Sequence, residues 1–252
     1  MLTPGTNGIV YSDNTLINGK MNFNCSTVAA GDTTPCTNNA GVSKFKFTTG
    51  KTHRLRLINT GSVGVQRFSI DAHNMTVIAQ DFVPITPYTT NVVTLGVGQR
   101  VDVLVTANAG NAKSSYWMRS NQTSCSLANQ PYAVAAVFYD QADQTVSPTS
   151  QAWNVPDPGT CANDDLSLTQ PLYKIPLPTP SFNQTMDIEA FVNGSGITLW
   201  KFDGVSARID YNSPGLLLAN VGNTSFPAIW NTQNLGTNSS VRVVINNNSP
   251  AP

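Results

Sequence analysis

Histidine is nearly missing from this chain: His53 and His73 are its two examples in 252 residues. Glutamate is rarer still, with Glu189 alone, so a pair of glutamates for general acid–base work is excluded. Asp164 and Asp165 are adjacent, but they sit in a Pro-rich stretch where solvation is the expected state. Charge is sparse and balanced, 14 Lys and Arg against 14 Asp and Glu. A neutral chain has no field that would draw in nucleic acid or an anionic membrane surface, so neither is expected as a partner. No apolar run reaches the ~18 residues of a membrane span. The longest, Tyr132–Tyr139, has the length of a buried strand. Met1 is not followed by a basic region and a long apolar core, so no secretion signal is read there. Cys-x-x-Cys spacing is missing, no histidine lies near a cysteine, and there is no Gly-x-Ser-x-Gly elbow. Zinc, dithiol redox and serine-hydrolase chemistry all lose their usual signatures.

What is present is strand signal. Residues 54–59 (RLRLIN), 65–71 (VQRFSID), 75–79, 91–95, 100–106 and 115–119 are short and mostly rich in β-branched and aromatic side chains, with Gly, Asn and Pro turns between them. That rhythm indicates an all-β sandwich or barrel. Lys44, Lys46, Arg54 and Arg56 alternate with Phe45, Phe47, Leu55 and Leu57, as the wet and buried faces of half-buried strands do. After Tyr139 the pattern weakens. Residues 141–182 carry Pro148, Pro156, Pro158, Pro171, Pro176, Pro178 and Pro180. Proline denies ladder hydrogen bonds, so this reads as an extended linker. Strand signals resume at 186–192, 197–203, 215–219, 226–230 and 240–246, although 214–221 also suits a short helical turn. The expected organisation is a complete domain over 1–140, the linker over 141–182, and an unfinished domain over 183–252, too short for the roughly 100 residues that close a sandwich.

Four cysteines allow three pairings. Cys25–Cys36 would close a short unpatterned loop, and Cys125–Cys161 would tie a strand to the linker, so this arrangement is favoured without excluding the others. Asn-x-Ser/Thr acceptors begin at Asn24, Asn74, Asn121, Asn183, Asn193, Asn223, Asn238 and Asn247. Each is weak in an Asn-rich chain, but with the cysteines and the low charge they favour a secreted origin. With no signal at Met1, the expectation is that the true N-terminus lies upstream.

Several runs resemble laccase-like multicopper oxidases of filamentous fungi: residues 15–20 (TLINGK), 51–61 (KTHRLRLINTG), 68–84 (FSIDAHNMTVIAQDFVP), 92–107 (VVTLGVGQRVDVLVTA), 116–119 (YWMR) and 199–203 (LWKFD), in the family's order. The resemblance implies a cupredoxin-like Greek-key sandwich equivalent to the family's second domain, then the opening strands of a third. It also implies a disulfide on a cysteine placed like Cys125. For a full-length protein it implies copper: a type 1 site of two His and one Cys taking single electrons from a phenolic donor, and a histidine-held trinuclear cluster reducing O2 to water. The remaining cupredoxin domains would then be this chain's partners.

The ligand motifs of that family are His-x-His pairs, a His-Pro-x-His-Leu-His run and a His-Cys-His run, and none occurs here. The chain stops about where the His-Pro-x-His run would begin. No metal site and no catalytic residue is therefore expected within these 252 residues. His53 and His73 match non-ligand positions and are expected to be hydrogen-bonded at strand ends or turns. Asp71, Asp81, Arg100 and Asp102, charges inside apolar runs, are expected to make buried or edge hydrogen bonds and one Arg–Asp pair at the sandwich corners. Many laccases carry a carboxylate in the loop after the RLRLIN strand. An ungapped match puts Val63 there, which cannot take a phenolic proton. The loop holding Thr123 and Ser124 is a further substrate-pocket candidate. Two functional classes follow. One is the central part of a secreted laccase-like oxidase, inactive by itself; the other is a stand-alone, copper-free cupredoxin-like binding or scaffold module. A complete oxidase of another kind is disfavoured.

Overall fold

Alternation of apolar and polar side chains up to Tyr139 is answered by two facing sheets. The computed structural model describes residues 12–28 and 31–249. They fall into two units, the first running to Lys174 and the second starting at Ile175.

The strands of the first unit are β1 (Ser12–Asn14), β2 (Ser43–Phe47), β3 (Thr52–Ile58), β4 (Gln66–Ile70), β5 (Met75–Gln80), β6 (Val83–Thr90), β7 (Val93–Leu95), β8 (Arg100–Thr106), β9 (Ser115–Gln122), β10 (Ala128–Gln130) and β11 (Tyr132–Tyr139). One sheet has the order β2-β11-β9-β4-β7 and the other β3-β8-β5-β6, while β1 pairs with β10. All pairs of the four-stranded sheet are antiparallel, with a bulge in β5 between Val77 and Ala79. Period-two patterning sends Val101, Val103 and Val105 of β8 to one face, where they meet Met75, Val77, Ile70, Met118, Ala135 and Val137 in a single core. Each fully buried valine there contributes about 1.5–3 kcal/mol. The expected all-β sandwich is thus present.

Strand β6 was not anticipated, because Pro84 and Pro87 argue against a ladder position. It lies at the sheet's edge, where a missing N–H is tolerated. A later segment covers it: Thr86 N–H donates to the Gln170 carbonyl (2.9 Å), Leu172 N–H donates to the Pro84 carbonyl (2.8 Å), and Ile85 bridges Pro171. The proline-rich stretch is extended, yet much of it is strapped to the first unit. Trp153 Nε1 donates to the Ile70 carbonyl (2.9 Å), Asp164 accepts the Thr94 N–H (2.9 Å), and a disulfide joins Cys125 to Cys161. Fastening by these side chains and by the short backbone bridge to β6 explains why the units part at Lys174 rather than at the end of the strand pattern. The second disulfide joins Cys25 to Cys36.

The second unit holds β12 (Phe182–Val192), β13 (Thr198–Phe202) and β14 (Val241–Asn247) in the order β13-β12-β14. Residues 215–219 are helical, within α1 (Gly215–Asn220), so the helical-turn alternative holds there rather than a strand. Residues 226–230 are not a strand either. A one-turn 3-10 segment, Ala228–Trp230, follows Pro227, and the rings of Phe226 and Trp230 stack at 5.7 Å. Met186 is the only buried apolar side chain among the described residues of this unit, while Leu177, Ile209, Leu216 and Ile245 are exposed.

Candidate functional site

The charged residues inside apolar runs form three ion pairs rather than one. Asp71, fully buried, takes both Arg119 Nε and Nη2 at 2.8 Å and the Ser150 hydroxyl at 2.7 Å. Asp81 meets Arg100 at 3.1 Å, and Asp102 meets Arg54 across the β3–β8 pair. These are fastenings between strands and strap. Both histidines are likewise engaged. His53 Nε2 accepts the Thr48 N–H (3.0 Å) and its ring stacks on Phe47 at 4.4 Å. His73 lies between the Asp71 carbonyl (2.8 Å) and the Tyr139 hydroxyl (2.6 Å). All four cysteine sulfurs are in disulfides. Among the described residues no three His, Cys, Asp or Glu side chains converge on a point that could hold a metal.

A cleft of about 750 Å³ lies between the two sheets of the first unit. Its apolar walls come from Leu55 and Leu57 of β3, Phe45 of β2, Phe68 of β4, Met118 of β9 and Leu95 of β7. At its polar end, the Ser120 hydroxyl donates to Gln66 Oε1 (2.9 Å), and Gln122 Nε2 donates to Ser12 Oγ (3.2 Å) and Thr15 Oγ1 (3.1 Å). Gln122 Oε1 is buried with no hydrogen-bond partner among the described residues.

Val63 lines this cleft, half-buried, on the loop after β3. Asn59 shapes that loop. Its side-chain amide donates to the carbonyls of Gly64 (2.9 Å) and Leu95 (3.1 Å), and its oxygen accepts the Gly61 N–H (3.1 Å). Gly64 closes the turn at φ +101°, where a Cβ would fall 2.9 Å from the Gln122 side chain. The Thr123 N–H donates to the Val65 carbonyl (3.0 Å), and the Val65 N–H donates to Ser126 Oγ (3.1 Å), so the loops of Val63 and Thr123 lie side by side. Thr123 is buried with its hydroxyl 2.8 Å from Cys125 Sγ. Ser124 is exposed, and its N–H donates to Asp157 (2.7 Å). The Gly159 N–H and then that bond hold the Asp157 carboxyl below its ordinary pKa. Of the three substrate-pocket candidates of the sequence, Val63 lines the cleft and Thr123 and Ser124 do not; Asn59, Gln66 and Gln122, which do, carry no local signal because their meeting depends on three separate strand ends.

Of the Asn-x-Ser/Thr acceptors, Asn24, Asn74, Asn121, Asn183, Asn223, Asn238 and Asn247 are exposed. Asn193 is half-buried, its side-chain oxygen accepting the N–H groups of Ser195 (3.0 Å) and Ile197 (2.9 Å).

With this geometry in hand, comparison with known proteins is specific. A sequence model described as Multicopper oxidase matches residues 2–142. Laccase-2 of Botryotinia fuckeliana is 35% identical over 220 residues, covering 87% of this chain and 36% of the relative. Oxidoreductase OpS5 of Beauveria bassiana is 36% identical over 246 residues, covering 92% and 40%. The crystal structure of laccase from Botrytis aclada superposes with a TM-score of 0.78 at 33% identity, over 96% of this chain and 43% of that one. The chain therefore spans about two fifths of the length of these relatives. On the strength of the matched region and of a laccase fold followed over nearly its whole length, the chain belongs to the multicopper oxidase family.

Proposed function

We propose that this chain is the central portion of a secreted, laccase-like oxidase. In full length that enzyme would take single electrons from a phenolic donor and reduce O2 to water. These 252 residues supply architecture and part of the donor-pocket wall, not the redox centre. The observation that carries the reading is a mismatch: the chain follows a laccase over 96% of its own length yet contains two histidines. Copper, which the family implies, does not fit the residues present. His53 Nε2 and both nitrogens of His73 are already engaged, and all four sulfurs are oxidised to disulfides. No imidazole–thiolate donor set is left for a type 1 site. The ligands must come from the other cupredoxin domains of the longer protein, which are the expected partners.

Within such a protein, Val63 and Ser124 would border the donor. Val63 offers dispersion contact and excludes water but cannot accept a phenolic proton. The exposed acceptor asparagines and the two disulfides support an extracellular setting. Among the described residues no helix is long and apolar enough to cross a membrane.

The test is the coding sequence on either side. In-frame His-x-His before Met1 and His-Pro-x-His after Pro252 establish the reading, whereas stop codons and unrelated flanks overturn it. The 252-residue chain loaded with Cu(II) is expected to show no intense blue thiolate-to-copper absorption; a stoichiometric blue signal would contradict the ligand count. A copper-free, stand-alone module is the second reading, favoured by the first unit's having a core of its own, and unrelated flanks would select it.

A further inference from the structure

The core of the first unit opens along one cleft. Its half-buried members include Ile17, Phe45, Leu55 and Leu57, and all four line the cleft. Along that cleft runs β3, an outer strand of its sheet with no neighbour beyond it among the described residues. Its seven residues offer an edge about 23 Å long that is unpaired among the described residues. An edge strand normally protects itself with charge, and Arg54 and Arg56 fit that role. Charge does not account for the apolar gap beneath them, nor for Gln122 Oε1 in its wall, which has no partner among the described residues.

We propose that the β3 edge and the cleft under it form a receptor for one added β-strand, of pattern apolar–acidic–apolar, supplied in cis by polypeptide that the longer relatives carry outside the matched region. The proposal rests on the reading of the chain as part of a larger oxidase. The pattern follows from register. Residues opposite one another in a sheet share a face, so apolar side chains opposite Leu55 and Leu57 would drop into the cleft beside Phe45 and Ile17. The residue between them would stand opposite Arg56 on the wet face. Arg56 faces Asp102 across β8, but the Asp102 carboxylate is held by Arg54. Arg56 has no ion-pair partner among the described residues, and a carboxylate from the added strand would supply one. Charge also disfavours a second copy as occupant: in a two-fold pairing centred on Leu55, Arg54 of each copy would face Arg56 of the other, and like charges directly opposed are destabilising.

The experiment titrates the 252-residue chain with a labelled nine-residue peptide, Thr-Val-Thr-Val-Glu-Val-Thr-Val-Thr, and with its counterpart carrying Lys in place of Glu. Fluorescence anisotropy reads affinity, and hydrogen exchange reads the amides of β3. The Glu peptide is expected to bind about five- to tenfold tighter than the Lys peptide and to protect alternate β3 amides. Arg56→Glu, at an exposed position, is expected to reverse the preference. Equal affinities, binding without β3 protection, or no binding would each overturn the receptor. So would a concentration-dependent dimer that protects β3 without peptide. In the protein expressed with its flanking sequence, β3 should be protected before any peptide is added; an edge that still exchanges freely there overturns the cis source. Flanks that carry the histidine motifs beside an unprotected β3 defeat this proposal and leave the oxidase reading standing. Unrelated flanks defeat the oxidase reading, whatever the peptide does.

Discussion

His73 Nε2 and the Tyr139 hydroxyl oxygen lie 2.6 Å apart, with His73 2% exposed and Tyr139 1% exposed. The chain of bonds around them fixes the tautomer. The Asp71 carbonyl, 2.8 Å from Nδ1, can only accept, so Nδ1 carries the proton. Nε2 then accepts from Tyr139, whose oxygen takes the Ala109 N–H at 3.2 Å. Both rings are held neutral: burial lowers the imidazole pKa and raises that of the phenol. Replacing Tyr139 by Phe strips a partner from His73 and from Ala109. A loss of about 1–3 kcal/mol is expected in urea unfolding.

The same pair sets a pH dependence. Because the folded state holds His73 below its ordinary pKa, the unfolded chain binds the extra proton first as pH falls. Stability is therefore complete above about pH 6.5 and declines as the pH drops from there towards the lowered folded pKa. Urea midpoints at about pH 7.5 and about pH 5.5 should differ in that direction, and His73→Gln should remove the difference in this window. A midpoint that rises on acidification would contradict the argument.

Asp71 joins a core strand end to the strap through Arg119 and the Ser150 hydroxyl. Asp71→Ala leaves the partly exposed Arg119 guanidinium without its counter-charge and the Ser150 hydroxyl without its acceptor, at an expected cost of about 1–3 kcal/mol. Trp153, which donates to the neighbouring Ile70 carbonyl, should report it by a red-shifted fluorescence as the strap loosens.

Gly64→Ala places a Cβ into the Gln122 side chain at a φ that L residues rarely adopt. A cost of about 1–3 kcal/mol is expected, read as a lower melting temperature. Gly98→Ala, where φ is +78° but no neighbouring atom lies within 4 Å, isolates the backbone part.

Limited proteolysis should remove the second unit first. Its sheet is three strands wide, with Val243, Val244 and Ile245 of β14 exposed. A resistant fragment ending near Lys174 is expected. Equal resistance of the part after Ile175 would contradict the picture of an uncovered sheet.

How far the sequence could be read follows from which signals are local. The buried valines of β8 and the Tyr132–Tyr139 run declare themselves by alternation and length. Strand β6 hides behind Pro84 and Pro87, whose tolerance depends on an edge position that no local pattern shows. The GLLLA run of α1 is apolar and short, so periodicity cannot separate helix from strand. Val63 is picked out by resemblance alone. The cleft is not legible, because Phe45, Leu57 and Gln122 converge only after the two sheets face each other.

The covering of β6 by Gln170, Pro171 and Leu172 makes the four-stranded sheet one-sided: one margin is capped, and the other has no strand beside it among the described residues. A ribbon with a single accepting margin can be lengthened once and then stops. Runaway fibre growth through this sheet would need two free margins on every subunit, and the proline-bearing strap removes one of them.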